Sequence, residues 1–418
     1  MDINTFDAAA HHILAVIPER AMQLTRLRAI AQAGEFPTVT VIGKYNHGKS
    51  RLLNELIGED IFSVADKRET TILSEHLQQH VRWLDAPGLD ADVAAVDDQY
   101  AQDAIWNKAD IRLFVHSVRE GEFDSHELHL FQQLDHDASK TQRQTVLVLT
   151  QIDQIPDQEA LTQIIHSIQK QVPNAITLPV SATRHRQGLE NSKQLLVQRS
   201  GIPELQQALT VPLDKVSTVR HFEKTQIFAE TKAQLLQLQC TTQTDHQQLL
   251  TQQQQQRQAF DHDLDQVLNK VCEDLQPVLL VDGTDDSLEP DSFANMYKLT
   301  AGKRDRNRIQ VAYSRACIDL NSHLIRYGIV GLPETQKTNT RSLDTVIVAV
   351  MGVSVKLRKD LNNIFFQASG RERLCREFTH YFELSTDRVL LAQQIQHLQQ
   401  QLVAVEKALQ ALTTLELA

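Results

Sequence analysis

The chain has little positive charge and no long apolar run. Its 418 residues contain 42 lysines and arginines against 53 aspartates and glutamates, which gives a formal net charge of −11. Because nucleic acids attract basic surfaces, this balance argues against nonspecific nucleic-acid binding, and we expect no DNA partner, although a local basic patch could survive it. The longest apolar run, Val346 to Val353, is too short to span a bilayer.

Cysteine is also scarce. The chain has 4 cysteines, which lie far apart and lack the spacing of metal ligands: Cys240, Cys272, Cys317 and Cys375. This pattern is typical of reduced, structural thiols in a cytosolic protein rather than of a disulfide framework. The N-terminus, Met1 to Asn4, is acidic and has no apolar core segment, so we expect no signal peptide and a cytoplasmic protein.

One octapeptide, Gly43–Ser50, fits the phosphate-binding pattern G-x-x-x-x-G-K-S/T without a mismatch. A buried strand is predicted before it at Thr38–Ile42, and a helix after it at Arg51–Ile57. Glycines let backbone N–H groups converge on phosphate oxygens, and the helix N-terminus adds a favourable dipole. Lys49 is expected to reach the β- and γ-phosphates, and Ser50 to ligate Mg²⁺. The alternative, a Gly-rich turn that binds nothing, is disfavoured by the complete pattern between both flanks.

Around this loop, residues 36–212 alternate apolar strands with helical segments, which is typical of a doubly wound α/β domain. The candidate strands are Thr38–Ile42, Val81–Leu84, Ile111–His116, Thr145–Thr150 and Ala175–Val180. Their spacing leaves room for crossover helices. We therefore expect a mostly parallel sheet that binds nucleotide at the carboxyl ends of its strands.

A second motif concerns the γ-phosphate and its metal ion. Asp85–Gly88 follows a predicted strand. An aspartate at a strand end can hold Mg²⁺ through water, and the Gly88 N–H can bond to the γ-phosphate. A threonine between this motif and the phosphate loop can close over the γ-phosphate and complete the ligands of the metal. We assign this role to Thr71, with its neighbour Thr70 as the alternative.

A third motif concerns the base. Thr150–Asp153 ends a predicted strand, and a carboxylate at Asp153 can accept two hydrogen bonds from N1 and N2 of guanine. Adenine lacks that donor pair, so Asp153 would select guanine. Ser181-Ala182 ends the next predicted strand, where the Ala182 N–H would contact guanine O6.

Together these motifs resemble those of the GTPase superfamily and cover roughly residues 38–183. The phosphate loop followed by Leu52-Leu53-Asn54 is similar to the Era-like and bacterial dynamin-like branches. The resemblance implies a P-loop GTPase domain that binds GTP or GDP with Mg²⁺. The implied nucleotide contacts are Gly43, Tyr45, Asn46, His47, Gly48, Lys49, Ser50, Arg51, Gly88, Thr150, Gln151, Asp153, Ser181 and Ala182. The implied metal ligands are Ser50, Thr71 and Asp85, and the implied catalytic residues are Lys49, Asn46 and Thr71.

The chain departs from the family pattern in several places. Gln151 replaces a lysine that normally lines the base and braces the phosphate loop, so we expect modest nucleotide affinity. The stretch from Thr71 to Asp85 is short and leaves little room for a full β-hairpin. Arg51 stands where a small Ser or Thr is usual. His47, inside the loop, is expected to be solvated, with contact to a dimer partner's nucleotide as the alternative.

The residue after Gly88 bears on hydrolysis. A Ras-type catalytic glutamine would stand there, but Leu89 cannot orient water. Some Era-like and dynamin-like GTPases bind K⁺ beside the phosphates through an asparagine of the phosphate loop, and Asn46 has that position. K⁺ would then neutralise developing charge as an arginine finger does. The alternative is that Asn46 only braces the loop.

Helical sequence flanks the GTPase domain on the N-terminal side. Residues 1–35 carry an apolar stripe that is interrupted at Pro18. The stripe consists of Phe6, Ile13, Leu14, Ile17, Met22, Leu24 and Leu27. This segment would pack either on the side of the GTPase domain or in a bundle with the C-terminal half.

Residues 213–418 are predicted to form a mainly α-helical bundle or coiled-coil domain. A long amphipathic helix covers about 220–275 and is weakest at Thr242 and Gln256. The clearest three-four periodicity lies at the C-terminus and is interrupted by Arg388. Its members are Leu384, Leu391, Ile395, Leu398, Leu402, Val405, Leu409 and Leu412. Such a seam must be buried, and the 220–275 helix of the same chain is the default partner, with another chain as the alternative.

Between these helices, helix is predicted near Ser292–Tyr327 and Leu343–Phe366. The apolar turn Gly328–Pro333 suggests a tip near residues 328–342 that touches a membrane or a partner. Basic residues that could meet anionic lipid lie in the same part of the chain: Lys303, Arg304, Arg306, Arg308, Lys356, Arg358 and Lys359. An ordinary core turn with a solvated basic face is the favoured interpretation.

Three functions fit this layout. The first is a dynamin-like mechanoenzyme, in which GTP drives homodimerisation and the helical domain acts at a membrane, peripherally, or on an assembly. The second is an Era-like switch that binds an RNA, a ribosome or a protein partner. The third is a structural coiled-coil protein with a vestigial GTPase domain, which the intact phosphate and metal ligands argue against.

Overall fold

The chain divides into two units. One consists of Met1–Gln237 with Ala404–Ala418 and the other of Leu238–Val403. The computed structural model describes residues 3–64, 74–86, 101–280, 283–290, 292–293, 296–340 and 343–417.

The first unit contains a six-stranded sheet. Its strands are β1 (Thr38–Ile42), β2 (Ser74–Gln78), β3 (Val81–Asp85), β4 (Ile111–Ser117), β5 (Gln144–Thr150) and β6 (Thr177–Pro179), in the order β2-β3-β1-β4-β5-β6. All pairs are parallel except β2 with β3. The predicted α/β domain with a mostly parallel sheet is confirmed, and each of the five predicted strands is present.

The strand β2 was not predicted. It pairs with β3 through a two-residue turn at Gln79-His80, whose φ angles of 48° and 64° are both left-handed. Turns of this kind match the twist of the two strands and need only two residues. The expectation that Thr71 to Asp85 leaves little room for a hairpin was therefore wrong.

Some helices of the first unit cover both faces of the sheet, and the others complete the unit. They are α1 (Ile3–Leu14), α2 (Ala21–Ala33), α3 (Lys49–Ile57), α4 (Ser125–Thr141), α5 (Gln158–Gln171), α6 (Ala182–Glu190), α7 (Gln194–Gln198) and the start of α8 (Ile202–Leu279). Because side chains alternate along a strand, Leu113 packs with α3 and the start of α8, while Phe114 packs with α4 and α5. Both faces of β4 are buried, which explains its continuous apolar sequence.

The N-terminal helices follow the predicted break at Pro18, which begins a short 3-10 turn between α1 and α2. The predicted stripe is largely buried, including Ile13 and Leu24, but Met22 is 60% exposed. From α2, Arg26 pairs with Asp110 at the start of β4 and with Glu223 of α8. The segment therefore packs on the sheet domain and on a C-terminal helix at the same time.

The second unit is helical. Besides the later part of α8, it contains α9 (Ala301–Arg326), α10 (Val346–Met351), α11 (Arg358–Phe365), α12 (Ala368–Glu383) and the first part of α13 (Thr386–Leu417). Its core joins Phe260 of α8 with Tyr313 of α9 and Phe378 of α12. The helix predicted over 343–366 is two helices, separated at Gly352, whose φ of 84° favours glycine.

Of the predicted C-terminal seam, Leu391, Val405 and Leu412 are buried, four members are half-buried, and Leu384 is 41% exposed. Arg388, which interrupts the pattern, is itself buried. Its guanidinium pairs with Glu383 at 2.9 Å and donates to the Gln253 carbonyl of α8 at 3.0 Å. The helix α13 thus packs against α8 of the same chain, the default partner.

Two of the three large apolar side chains in the predicted tip at 328–342 are buried, while Val330 is 73% exposed. Ile329 and Leu332 lie in the core cluster, as the favoured core-turn interpretation requires. Phe293 and Tyr297, in the segment between α8 and α9, are 91% and 97% exposed. No helix in the described part of the chain is long and apolar enough to cross a membrane.

Candidate nucleotide site

The carboxyl ends of the parallel strands bring the predicted motifs to one edge of the sheet. The phosphate loop follows β1, Asp85 ends β3, Thr150 ends β5, and Ser181 follows β6. Ligands of open parallel sheets bind at this edge, where loops from neighbouring strands meet.

The phosphate loop depends on two glycines. Gly43 has φ 152°, and a Cβ there would lie 2.1 Å from the Val115 carbonyl oxygen. Gly48 has φ 81° and directly precedes α3, which begins at Lys49. Any side chain at Gly43 would therefore push the loop away from β4.

Lys49 is buried, and its ammonium donates to the carbonyl oxygens of Gly43 at 2.9 Å and Lys44 at 2.8 Å. These two hydrogen bonds hold the positively charged ammonium of Lys49 over the phosphate loop, near the N-terminus of α3. An anion at this place would meet the lysine charge, the loop N–H groups and the helix dipole together.

Ser50 and Asp85, two of the three predicted metal ligands, are in direct contact. The Ser50 hydroxyl donates to Asp85 Oδ2 at 2.6 Å. Asp85 is 2% exposed, and its Oδ1 has no hydrogen-bond partner among the described residues. Burial raises the pKa of Asp85, and the Ser50 hydrogen bond and the Lys49 charge offset this only in part. A buried carboxylate oxygen without a partner beside a hydroxyl is a donor set that fits a hard cation such as Mg²⁺.

The base motif is assembled from two loops. Ser181 donates from its hydroxyl to Asp153 Oδ1 at 2.6 Å and accepts from the Arg184 N–H at 3.0 Å. Ser181 is thus the N-cap of α6, whose first residue is Ala182. The predicted guanine acceptor and the predicted O6 donor are neighbours because the same serine fixes both.

Gln151 braces the phosphate loop, a role that the sequence analysis did not predict for it. It has a left-handed φ of 60°, and its amide donates to the Asn46 carbonyl at 2.7 Å. Its side-chain oxygen accepts from the Ser117 hydroxyl at 2.7 Å. Next to it, the Thr150 hydroxyl donates to the His47 carbonyl at 2.6 Å. The phosphate loop is therefore tied to β4 and β5 without the usual lysine.

The expectation that His47 is solvated was wrong, since this residue is 1% exposed. It packs edge-on against His116, with ring centroids 5.2 Å apart, and burial lowers its pKa more than Glu120 raises it. His116 and Glu127 were missed by sequence reasoning. The position of His116 could have been predicted, because it lies at the carboxyl end of β4, beside the loop.

Lys44 links the same loop to α4. Its ammonium lies 2.7 Å from Asp124, 3.2 Å from Glu120 and 3.2 Å from Glu127. Burial lowers the pKa of Lys44, but the hydrogen bonds that its ammonium donates to these carboxylates outweigh this effect, and the pKa is raised. The ammonium stays charged and anchors the loop.

Three other predicted contacts have different surroundings. Asn46 is exposed with a left-handed φ of 59°. Tyr45 is half-buried, and its hydroxyl has no partner in the described ranges. Arg51 is exposed on the first turn of α3.

Comparison with known proteins agrees with this geometry. A family model described as 50S ribosome-binding GTPase matches residues 38–151. An uncharacterized protein of Acinetobacter baylyi is 55% identical over 418 residues, which covers 100% of both chains. The chain belongs to one family with that protein, and it carries a P-loop GTPase domain.

The GTPase domain has further relatives. GTPase Era of Bordetella avium is 29% identical over 181 residues, 42% of this chain and 58% of that protein. GTPase Era of Bordetella petrii is 30% identical over 156 residues, 36% of this chain and 51% of that protein. The chain thus spans just over half the length of these Era proteins.

Two solved structures align at low TM-scores. A variant of Era from Aquifex aeolicus bound to GDP and AlF4⁻ has a TM-score of 0.34 and 21% identity, and the match covers 42% of this chain and 56% of that chain. An oligomerised bacterial dynamin pair, described as a mechanism for long-range sensing and tethering of membranes, has a TM-score of 0.36 and 16% identity over 99% of this chain and 74% of that chain.

Four predicted positions of the GTPase domain lie outside the described residues. They are Thr70, Thr71, Gly88 and Leu89. The proposed threonine ligand, the proposed γ-phosphate contact and the position of the missing glutamine therefore rest on sequence alone.

Proposed function

We propose that this protein is a Mg²⁺-dependent GTPase that couples GTP-driven dimerisation to movement of its helical part. The observation that carries the proposal is the shared sheet edge. There Lys49 caps the phosphate loop, Ser50 meets the buried Asp85, and Asp153 is fixed beside the start of α6. The residues proposed to contact the phosphates, the metal and the base thus share one edge of the sheet.

The proposed reaction is in-line attack of water on the γ-phosphate. The ammonium of Lys49 and the N–H groups of the loop would stabilise negative charge on the phosphate oxygens as the bond to the leaving group breaks. When bound to Ser50, Asp85 and Thr71, Mg²⁺ would neutralise charge shared by the β- and γ-phosphates. Asp153 would hold the base and so fix the position of the phosphates.

Asn46 is proposed to bind K⁺ beside the phosphates. Its exposed side chain is at the top of the loop, and its backbone is held by the Gln151 amide. Bound K⁺ would supply positive charge beside the phosphates, as an arginine finger does in other GTPases. GTPase rates that are equal in KCl and NaCl at all protein concentrations would contradict this role.

The coupling proposal is supported by how α8 joins the GTPase domain. Asp110, at the start of β4, accepts from Arg220 of α8 at 2.5 Å and from the Thr38 N–H of β1 at 2.8 Å. The strand β1 leads directly into the phosphate loop. A change at the phosphates would therefore act on an element that is fixed to α8.

The proposed partner of the helical unit is an anionic membrane surface. The segment between α8 and α9 exposes large apolar side chains in a run: Phe293, Met296, Tyr297 and Leu299. The cation Lys298 stands inside this run and is also exposed. Apolar side chains with an interleaved cation suit the boundary between lipid headgroups and acyl chains.

A second candidate is an Era-like switch. It is favoured by the Era relatives, which are 29% and 30% identical over their matched residues. These matches cover 42% and 36% of the chain and leave the long helices unaccounted for. The dynamin-like proposal accounts for both parts, so we prefer it.

Removal of the Lys49 ammonium tests the enzymatic activity. Lys49→Ala should abolish GTP hydrolysis, because the charge over the phosphates is lost, and a phosphate-release assay in Mg²⁺ measures this. The control is Lys170→Ala, an exposed lysine of α5, which should retain the wild-type rate. Turnover that survives in a folded Lys49→Ala protein would refute the assignment.

Sedimentation with lipid vesicles tests the membrane partner. The full chain should sediment with phosphatidylserine-containing vesicles more than with pure phosphatidylcholine vesicles. The double variant Phe293→Ser and Tyr297→Ser should remain in the supernatant, because it loses two apolar contacts. Val353→Ser removes an exposed apolar side chain elsewhere in the unit and should not change binding. If the wild type, the double variant and Val353→Ser all sediment equally, the membrane proposal is contradicted and the Era-like switch becomes the preferred function.

A further inference from the structure

Three buried side chains from three elements converge behind the phosphate loop. They are His47 of the loop, His116 of β4 and Glu127 of α4. One ligand atom of each lies within 4.8 Å of the other two. In the described part of the chain, this is the one group of three or more histidine, cysteine, aspartate or glutamate side chains with such a spacing.

The atoms that converge are two ring nitrogens and one carboxylate oxygen. Glu127 Oε1 lies 2.9 Å from His116 Nδ1 and 3.7 Å from His47 Nδ1. Ligands bound about 2.0–2.2 Å from one tetrahedral ion are about 3.3–3.6 Å apart. The two distances bracket that spacing, so small side-chain shifts would suffice to share an ion.

The hydrogen bonds of His116 indicate which of its ring nitrogens has a lone pair available for a metal ion. Its Nε2 lies 2.9 Å from the Gly121 carbonyl, which can only accept a hydrogen bond. In a neutral ring, Nε2 therefore carries the proton and Nδ1 faces Glu127 as an acceptor. A hydrogen bond from the outer nitrogen to a carbonyl is the arrangement that orients metal-ligating histidines.

His47 also has an outer partner, here a carboxylate. Its Nε2 lies 2.9 Å from Glu120 Oε1. Its Nδ1 faces the Val115 carbonyl at 3.2 Å. Both ring nitrogens face oxygen acceptors. A neutral imidazole has only one N–H, so its other nitrogen would point a lone pair at an oxygen lone pair. A cation between the two atoms would remove this repulsion.

The surrounding charges also favour a cation. Lys44 contacts Glu120, Asp124 and Glu127, so three carboxylates against one ammonium leave two negative charges. Lys44 occupies the Oε2 side of Glu127, while Oε1 faces the histidines. A divalent ion would balance this excess.

We propose that His47 Nδ1, His116 Nδ1 and Glu127 Oε1 bind a divalent transition-metal ion of the zinc type. Two imidazoles and one carboxylate suit zinc and its neighbours rather than Mg²⁺, which prefers oxygen ligands. The Val115 carbonyl or a water would take the fourth position. The ion would clamp the phosphate loop to β4 and α4 from the side away from the nucleotide.

Metal titration of the full chain tests this site. With excess Mg²⁺ present to fill the Ser50–Asp85 site, the wild-type protein should bind one equivalent of Co²⁺ with the visible absorption of a four-coordinate ion, and Zn²⁺ should displace it. His116→Gln and Glu127→Gln should each weaken Zn²⁺ affinity by more than about a hundredfold, and Glu120→Gln by about 10- to 100-fold. His126→Gln, which removes an exposed histidine next to Glu127, should bind as the wild type does.

Two results would overturn the proposal. One is a wild-type protein that binds no stoichiometric Co²⁺, which would leave His116 and Glu127 as a structural ion pair sharing a proton. The other is a His116→Gln variant that binds Zn²⁺ as tightly as the wild type, which would mean adventitious binding by surface histidines. Should the variants fail to fold, X-ray absorption of the Zn²⁺-loaded wild type counts the histidine ligands of the ion. The proposal requires two, and any other number would contradict it.

Discussion

At the residue scale, Gln151 shows how a departure from a motif can keep a function. The usual lysine and this glutamine differ in charge, but both can reach the backbone of the phosphate loop. Gln151 does so through the Asn46 carbonyl, and Ser117 holds its other end. We therefore expect any loss of nucleotide affinity to come from the missing contact between that lysine and the base.

The variant Gln151→Leu should bind GDP about tenfold more weakly, since it loses two hydrogen bonds worth about 0.5–1.5 kcal/mol each. Titration with a fluorescent GDP analogue measures the dissociation constant. Gln154→Leu changes an exposed neighbour and should bind normally. An unchanged constant for Gln151→Leu would mean that the brace does not support the bound nucleotide.

The sequence predicted those site residues whose roles depend on local spacing. The meeting of Ser50 with Asp85, and of Ser181 with Asp153, follows from motifs at the ends of parallel strands. The burial of His47 could not be predicted in this way. It depends on Glu120, in the turn that follows β4, and on Glu127, which reaches the loop only when α4 packs on the sheet.

At the element scale, a buried ion network joins α2, β4 and α8. Asp110 accepts from Arg26 at 2.9 Å and from Arg220 at 2.5 Å, and Glu223 pairs with Arg26 at 3.0 Å. All four side chains are buried. Removing one member of such a network is costly because the opposite charges are left without partners in a medium of low polarity.

The variant Asp110→Ala should lower the free energy of unfolding by about 3–5 kcal/mol, since it leaves Arg26 and Arg220 buried without this partner. Urea denaturation followed by tryptophan fluorescence reports on this unit, because both tryptophans, Trp83 and Trp106, lie in it. Asp7→Ala breaks an exposed ion pair with Arg28 and should cost less than about 1 kcal/mol. Similar losses in the two variants would contradict a structural role for the buried network.

Elements with strong periodicity were predictable, and those fixed by backbone conformation were not. The strands β1 and β4 are apolar runs, and α13 keeps a repeating seam. The turn Gln79-His80 adopts left-handed conformations without the glycine or asparagine that would predict it. The strand β2 could not be recognised either, because it is largely polar and exposed and lacks the apolar pattern that predicts a strand.

At the scale of the whole molecule, the chain combines a GTPase domain with helices that return to it. The helix α8 begins against the sheet in the first unit and ends in the second, and α13 begins in the second unit and ends in the first. Two continuous helices therefore join the two units. The proposed coupling between nucleotide state and the helical unit would act through these two helices.

The rate of GTP hydrolysis per molecule, measured in KCl and excess Mg²⁺ as the protein concentration rises, tests the central claim most directly. If GTP-bound molecules dimerise to complete the site, the rate per molecule should rise steeply with concentration, and Lys49→Ala should remain inactive throughout. A slow rate that stays flat over the same range would contradict GTP-driven dimerisation, and no turnover at any concentration would contradict the GTPase activity itself.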